Sequence, residues 1–332
     1  MKKQIVLSLA FVCCMNSCQK EEAGVEDMSE KVAFYEQSHR TVMQIKGLVK
    51  EIREYNADPQ FEEEKMLSAV IAFNEAGNIA SYDPTGMEEE ISTFWIPVNV
   101  ERYEYDYDEY NRLRKIKVMP LGEEPAIYTL IYGEHSTYIP LPIEIKPIGE
   151  WLVKGLVSVE SERADFSYQF DGTKVSFVQQ DFGKKEQGTI QFENGYPVMR
   201  KSQTIESGVA VASKETKYSF DSLTGILLRK ECDLTEDNKN TVSVYEYDSK
   251  GLCIRQTDTS LNEMAHYEYQ YNSYSWLIAT SVKRDGTESN QSRLYDQPDD
   301  HGNWTRCEIN TKGFIDWGSI EGKVIVTRTL HY

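Results

Sequence analysis

The sequence predicts an all-β fold, an antiparallel meander of repeated hairpins that forms one large twisted sheet able to close on itself. Three observations predict it. A unit of alternating aromatics, then Asp or Asn, then Gly recurs along the chain, most fully in Tyr245-Glu246-Tyr247-Asp248-Ser249-Lys250-Gly251-Leu252-Cys253-Ile254. Within each unit the aromatics stand two residues apart, the period of a strand with one packed face. Turn glycines at 195, 225, 251 and 302 bracket roughly two strands per 25 residues, the spacing of a hairpin meander.

Taken in order, residues 1–17 read as a secretory signal. Lys2 and Lys3 form a basic start, Ile5 to Val12 an apolar core, and Met15-Asn16-Ser17 a small and polar stretch before Cys18. The apolar run is too short to span about 30 Å of hydrocarbon as a helix. With the cysteine at the cut, the segment resembles a bacterial lipoprotein signal, and Cys18-Gln19-Lys20-Glu21-Glu22 resembles the surface-export signal of Bacteroidetes lipoproteins. The resemblance implies acylation of Cys18, an acidic tether over 18–38, and a lipid-anchored, surface-exposed place on the outer membrane. It departs from the commonest pattern at Met15 and Ser17. The folded domain is expected over 39–332.

Ser29 to Tyr55 reads two ways. Val42, Ile45, Leu48, Val49 and Ile52 have near-helical spacing, but Gly47 in their midst weakens a helix by about 1 kcal/mol. A short helix or coil before His39 and a strand from Thr41 onward is the favoured reading. Then come the hairpins. Phe73-Asn74 to Gly77, Tyr105-Asp106-Tyr107-Asp108 to Asn111, and Tyr218-Ser219-Phe220-Asp221 to Gly225 repeat the unit. Tyr269-Gln270-Tyr271-Asn272 keeps its first half, Tyr295-Asp296 to Trp304 lengthens the loop, and Phe170-Asp171-Gly172 and Phe192-Glu193-Asn194-Gly195 tighten it. An Asp or Asn side chain bonds the backbone just ahead and opens a turn, and Gly supplies the positive φ that closes it. Prolines from 140 to 147 interrupt the meander and mark a break near 139–148, since proline is confined to sheet edges and connections.

These units resemble the tyrosine–aspartate repeats of RHS-type proteins, in the form found in Bacteroidetes lipoproteins of unknown function. Lys46 to Glu54 looks like that group's opening strand; Asp300-His301-Gly302-Asn303-Trp304 and Thr327 to Tyr332 look like its closing pair. A related Bacteroidetes family is porin-like in fold, so the resemblance implies that the sheet can curl into a soluble porin-like barrel. It brings no assigned activity. A lipid-embedded barrel fits the last strand poorly. With Tyr332, Leu330, Val326 and Val324 facing lipid, Arg328 would face it too, and a mid-bilayer Arg costs about 2–4 kcal/mol.

Composition and motifs narrow the function. A net charge of −18, from 54 acidic and 36 basic residues in 332, argues against nucleic acid, which needs clustered Lys and Arg. It favours a soluble monomer. Beyond the signal, Cys232, Cys253 and Cys307 remain. Cys232 and Cys253 are expected on strands with a third between them. That puts them beyond the roughly 7 Å of Cα separation a disulfide tolerates, so buried free thiols are expected. The five histidines are scattered, no calcium-loop order appears among the acids, and there is no nucleophile elbow, phosphate loop or CxxC. No catalytic residue, metal or cofactor is assigned. The aromatic rows read first as core packing. Trp95, Trp151, Trp276, Trp304 and Trp317 lie near expected loops and are the candidate ligand platforms. The expected function is non-enzymatic binding of a glycan, or of an outer-membrane protein partner, through a sheet face or rim. The alternatives are a carboxylate hydrolase in a barrel mouth and a purely structural envelope component.

Overall fold

The computed structural model describes the chain from residue 33 onward, apart from 85–100, 121, 123, 164, 182–183, 237–238, 262, 285 and 316–317. The first arc of strands comprises β1 (Glu51–Ala57), β2 (Met66–Phe73), β3 (Ile79–Asp83), β4 (Glu101–Tyr107), β5 (Leu113–Pro120) and β6 (Ala126–Tyr132). β7 (Tyr138–Pro140) and β8 (Leu152–Lys154) form a separate two-stranded sheet. The second arc opens with β9 (Leu156–Ser161), β10 (Ser167–Phe170), β11 (Lys174–Asp181), β12 (Lys184–Glu193), β13 (Tyr196–Glu206), β14 (Val209–Phe220) and β15 (Leu227–Glu236). It continues through β16 (Lys239–Tyr247), β17 (Cys253–Ser260), β18 (Met264–Tyr271), β19 (Leu277–Arg284), β20 (Thr287–Tyr295), β21 (Arg306–Ile315) and β22 (Gly318–His331). Neighbours in sequence pair antiparallel. β6 pairs with β9 across the insertion, and β1 pairs with β22. The expected meander is therefore a closed 20-stranded antiparallel barrel.

The turn chemistry is as the repeats require. Asp248 Oδ1 accepts from the Lys250 and Leu252 amides at 2.8 and 2.9 Å, and Gly251 closes the turn at φ +79°. Asp108 and Asp299 repeat the arrangement, and Asp221, in a turn one residue longer, accepts from the Leu223 and Thr224 amides. The half-unit at Asn272 also makes a full turn. Its Oδ1 accepts from the Tyr274 and Trp276 amides, and Ser275 takes the glycine's place at φ +60°. Alternate hairpins in a meander fall at the same end, so all these turns share one rim.

Four tyrosines at strand ends before turns have a second task. Tyr107 Oη donates to the Ile79 carbonyl at 2.9 Å, Tyr132 to Leu113 at 2.6 Å, Tyr271 to Cys253 at 2.9 Å and Tyr295 to Leu277 at 2.9 Å. Each acceptor is the first residue of the preceding strand. The hydroxyl thus bolts its own strand to the base of the one before, a role for the tyrosine that stands next to Asp108, Asn272 and Asp296.

The strand rows divide into two faces. One apolar cluster joins Ile52, Ile116, Leu130, Val175 and Ile190, from β1, β5, β6, β11 and β12, with Phe34, Val49, Ile145 and Trp151 from the segments outside the ring. Side chains from around a closed ring meet only inside it, so this is the inner face. The aromatic rows of Tyr103 and Tyr105 lie on it, buried. Gly188 marks a tight corner of that wall, where a Cβ would come within 2.2 Å of the Lys201 carbonyl.

A cap fills the turn-bearing end. It is built from residues 33–50 and from the 133–155 insertion. The cap binds four turns by backbone donors: Phe34 to the Thr224 carbonyl, Arg40 to Gly77, Tyr138 to Gly195, and Lys46 to Asn303 Oδ1. The proline break is therefore an insertion within one ring. The strand expected from Thr41 is a correction. A 3-10 turn (Phe34–Glu36) and α1 (His39–Val42) come first, and β1 starts only at Glu51. Gln44 and Gly47 have φ of +54° and +77°, and Arg40 Nη1 donates to the Val49 carbonyl. The apolar residues of this stretch serve the cap core instead of a sheet.

Candidate functional site

The outer wall is set by charge. Alternation that turns tyrosines inward on β14–β17 turns Lys and Glu outward, and they form a continuous row. Lys201 pairs with Glu215 (2.8 Å), Lys217 with Glu215 and Glu231 (3.4 and 3.7 Å), Arg229 with Glu231 and Glu246 (3.2 and 3.6 Å), and Arg255 with Glu246 (2.8 Å). Such exposed pairs contribute little stability each. They do fix the environment: a lipid-facing wall needs an apolar band about 25 Å tall, and this stretch faces water.

Further round the same wall, over β18–β22, lies a trough of about 590 Å³. Glu268, Gln270, Ser281, Asn290, Asn310 and Lys312 line it, all on the outward register row. Asn290 Nδ2 donates to Glu288 (3.3 Å) and Asn310 Nδ2 to Glu308 (3.1 Å), which leaves each Oδ1 as an acceptor. Glu308 also holds Lys323 at 2.7 Å. The trough thus offers amide and hydroxyl groups beside acids, of which Glu288 and Glu308 already have partners.

The inner wall carries a second cluster, just above the cap. Arg200, Lys214 and Lys230 sit on the inner rows of β13, β14 and β15, around buried Thr216. The cap supplies Glu150, which pairs with Lys230 at 2.8 Å. Burial works to raise the Glu150 pKa, but Lys230, then Arg200 and Lys214, overcome it and hold the carboxyl below its usual range. Glu186 pairs with Arg200 at 3.1 Å. Arg200 also lies over the Phe177 ring, 4.7 Å from its centroid, and its Nε is buried without a partner. Burial pushes the Tyr218 hydroxyl up beside this group and Tyr245 up to about 12.

Of the expected ligand platforms, Trp151, Trp276 and Trp304 are buried, at 5%, 4% and 8% exposure, so they present no open ring face. Trp151 packs in the cap on Phe34, Tyr35 and His39. Trp276 stacks on Tyr274, and Trp304 lies edge-on to Tyr295. Arg328 sits 3.7 Å over the Trp304 ring and pairs with Glu54 at 2.5 Å. Arg328, Val326 and Leu330 share the inward row of the last strand, opposite Glu54, Asn56 and Ile52. Trp95, Trp317 and Cys18 lie outside the described residues.

The three thiols are free; Cys253 and Cys307 are buried as expected, whereas Cys232 is only half-buried, a correction. Cys232 and Cys253 stand on β15 and β17 with β16 between, as expected. Burial pushes Cys253 up to about 12 and Cys307 up to about 11, far from a thiolate nucleophile. His39 is buried, its Nδ1 accepting from the Ile79 amide at 3.2 Å. The other histidines lie on separate elements, and no cluster of metal-ligating side chains occurs among the described residues. The expectation missed both the trough and the inner cluster. Their signal was phase: Gln270 and Glu268 alternate with the tyrosines of β18, whereas Lys214 shares the phase of Tyr218.

No family model and no curated protein matches this chain. Among solved structures, a porin-like protein from Bacteroides uniformis is similar at 9% identity and a TM-score of 0.35, over 86% of this chain and 98% of that one. An overlap this low carries no conclusion about this chain, whose architecture stands on its own strand pairing.

Proposed function

We propose that this protein is a lipid-anchored, surface-exposed envelope barrel that binds a glycan without chemistry, in the trough over β18–β22. The observation that supports it is the trough itself, a recess of about 590 Å³ whose lining side chains carry amides and hydroxyls that suit the hydroxyl pattern of a sugar chain, on a wall whose charged rows face water. Several acyl chains on Cys18 would hold such a domain at the bilayer, at about 0.8 kcal/mol per buried methylene. The hydrolase reading has less support. An acid catalyst needs a carboxyl with a raised pKa, and Glu150, facing the lumen, is held low by the surrounding cations.

A glycan array with the full mature protein tests the binding. Wild type is expected to retain a neutral oligosaccharide, and Asn290→Ala with Asn310→Ala to lose it. A blank array for wild type sinks the reading. The anchor is tested separately: metabolic labelling with an alkyne fatty acid should mark wild type, and Cys18→Ala should abolish the label.

A further inference from the structure

We propose that the floor of the barrel lumen is a binding site for a compact oxyanion, a phosphate or a carboxylate-bearing group. The site is independent of the outer trough. Its receptor is the triangle of Arg200, Lys214 and Lys230 on three adjacent inner strands, with Glu150 entering from the cap.

Three observations carry this. First, the charge is out of balance. Three cations face two carboxylates, Glu150 on Lys230 and Glu186 on Arg200, in a protein whose overall charge is −18. Lys214 forms no ion pair with any described residue, and register places it one row from Arg200. Second, the donors are unspent. Arg200 Nε is buried with no acceptor, an arrangement that is disfavoured until something accepts the bond. The Arg200 guanidinium is also already fixed, by Glu186 on one side and the Phe177 ring beneath it. Pre-positioning of this kind is what charge-assisted capture of an oxyanion needs. Third, the place is wet. The Glu150 side chain keeps 49% of its exposure although it stands inside the ring, so solvent, and a small solute with it, reaches the floor. An oxyanion lodged between Arg200 Nε and Lys214 Nζ would complete the neutralisation and satisfy the orphaned donor.

Isothermal titration of the full mature protein, with ionic strength held constant, tests the proposal with two probes, inorganic phosphate and D-glucuronate. Saturable binding of one molecule per chain is expected for at least one probe. Which probe binds tells a phosphate from a sugar-acid ligand. Lys214→Gln should weaken that binding roughly tenfold, the loss of one charge-assisted contact, while Lys217→Gln on the outer wall leaves it unchanged. Should Lys214→Gln alter the circular-dichroism spectrum, Arg200→Lys takes its place, keeping the charge but removing Nε. No saturable binding by either probe overturns the proposal. So does equal weakening by the inner and outer lysine variants, which would mark general screening. Loss of glycan retention alone bears only on the trough.

Discussion

At the scale of single residues, the molecule is governed by the acid that opens each turn. Asp248 accepts two backbone N–H bonds, each worth about 1 kcal/mol net. Asp248→Ala should lower stability by about 1–2 kcal/mol, read as a fall in the urea midpoint with an unchanged slope. His39 gives a pH signature. Buried and accepting at Nδ1 from Ile79, it stays neutral in the fold, with its pKa pushed from the usual 6.5 down to about 3 by desolvation. The unfolded chain takes up the proton first. This residue's contribution is therefore complete above about pH 6.5 and is lost as pH falls toward 3, at up to about 1.4 kcal/mol per unit. Urea titrations from pH 7 to 4 should show His39→Gln with a slope shallower by one proton; an unchanged slope would refute the assignment. At this scale the sequence was legible, because an Asx turn is a local object. Only Ser275 hid, since nothing in Tyr274-Ser275-Trp276 announces a positive φ.

At the scale of elements, the repeats were legible and the cap was not. Alternation marks a strand wherever one face is buried, and β4, β16 and β18 follow it. Residues 41–50 carry the same apolar content, yet their partners are the cap core and four turns remote in sequence, so no local period could reveal their shape. The seam between β1 and β22 is likewise a meeting of chain ends. Arg328 is only 4% exposed and its charge is matched by Glu54. Removing one member of such a pair strands the other in a dry place, at about 3–5 kcal/mol, whereas replacing both is far milder. Glu54→Ala should therefore destabilise by roughly 3 kcal/mol or more, and the Glu54→Ala/Arg328→Met double variant by distinctly less. A double-mutant cycle in urea gives both values.

At the scale of the whole molecule, closure removes every free edge from the main sheet, and this determines how the surface can be used. With no strand edge to extend, recognition falls to side chains on the walls, outward in the trough and inward above the cap. The sites were less legible than the fold because each is assembled across three or more strands. The sequence gives the phase of Arg200, Lys214 and Lys230 one strand at a time, but only the register brings them round Thr216. A chain lacking residues 318–332 should expose two bare edges, on β1 and β21, and edges of that kind template association. Size-exclusion chromatography should find it as large assemblies where the intact protein elutes as a monomer; a monomeric truncation would refute the role of the seam.

The pairing of Glu51 with His331 and of Ala57 with Ile325 sets a timetable as well. During synthesis the far edge of β1, already paired with β2 on its near side, must wait while nearly the entire polypeptide arrives, and the entropy of joining such distant partners makes that step slow. Sealing is then a terminal event: a copy released a dozen residues early has every hairpin but the last and no finished wall.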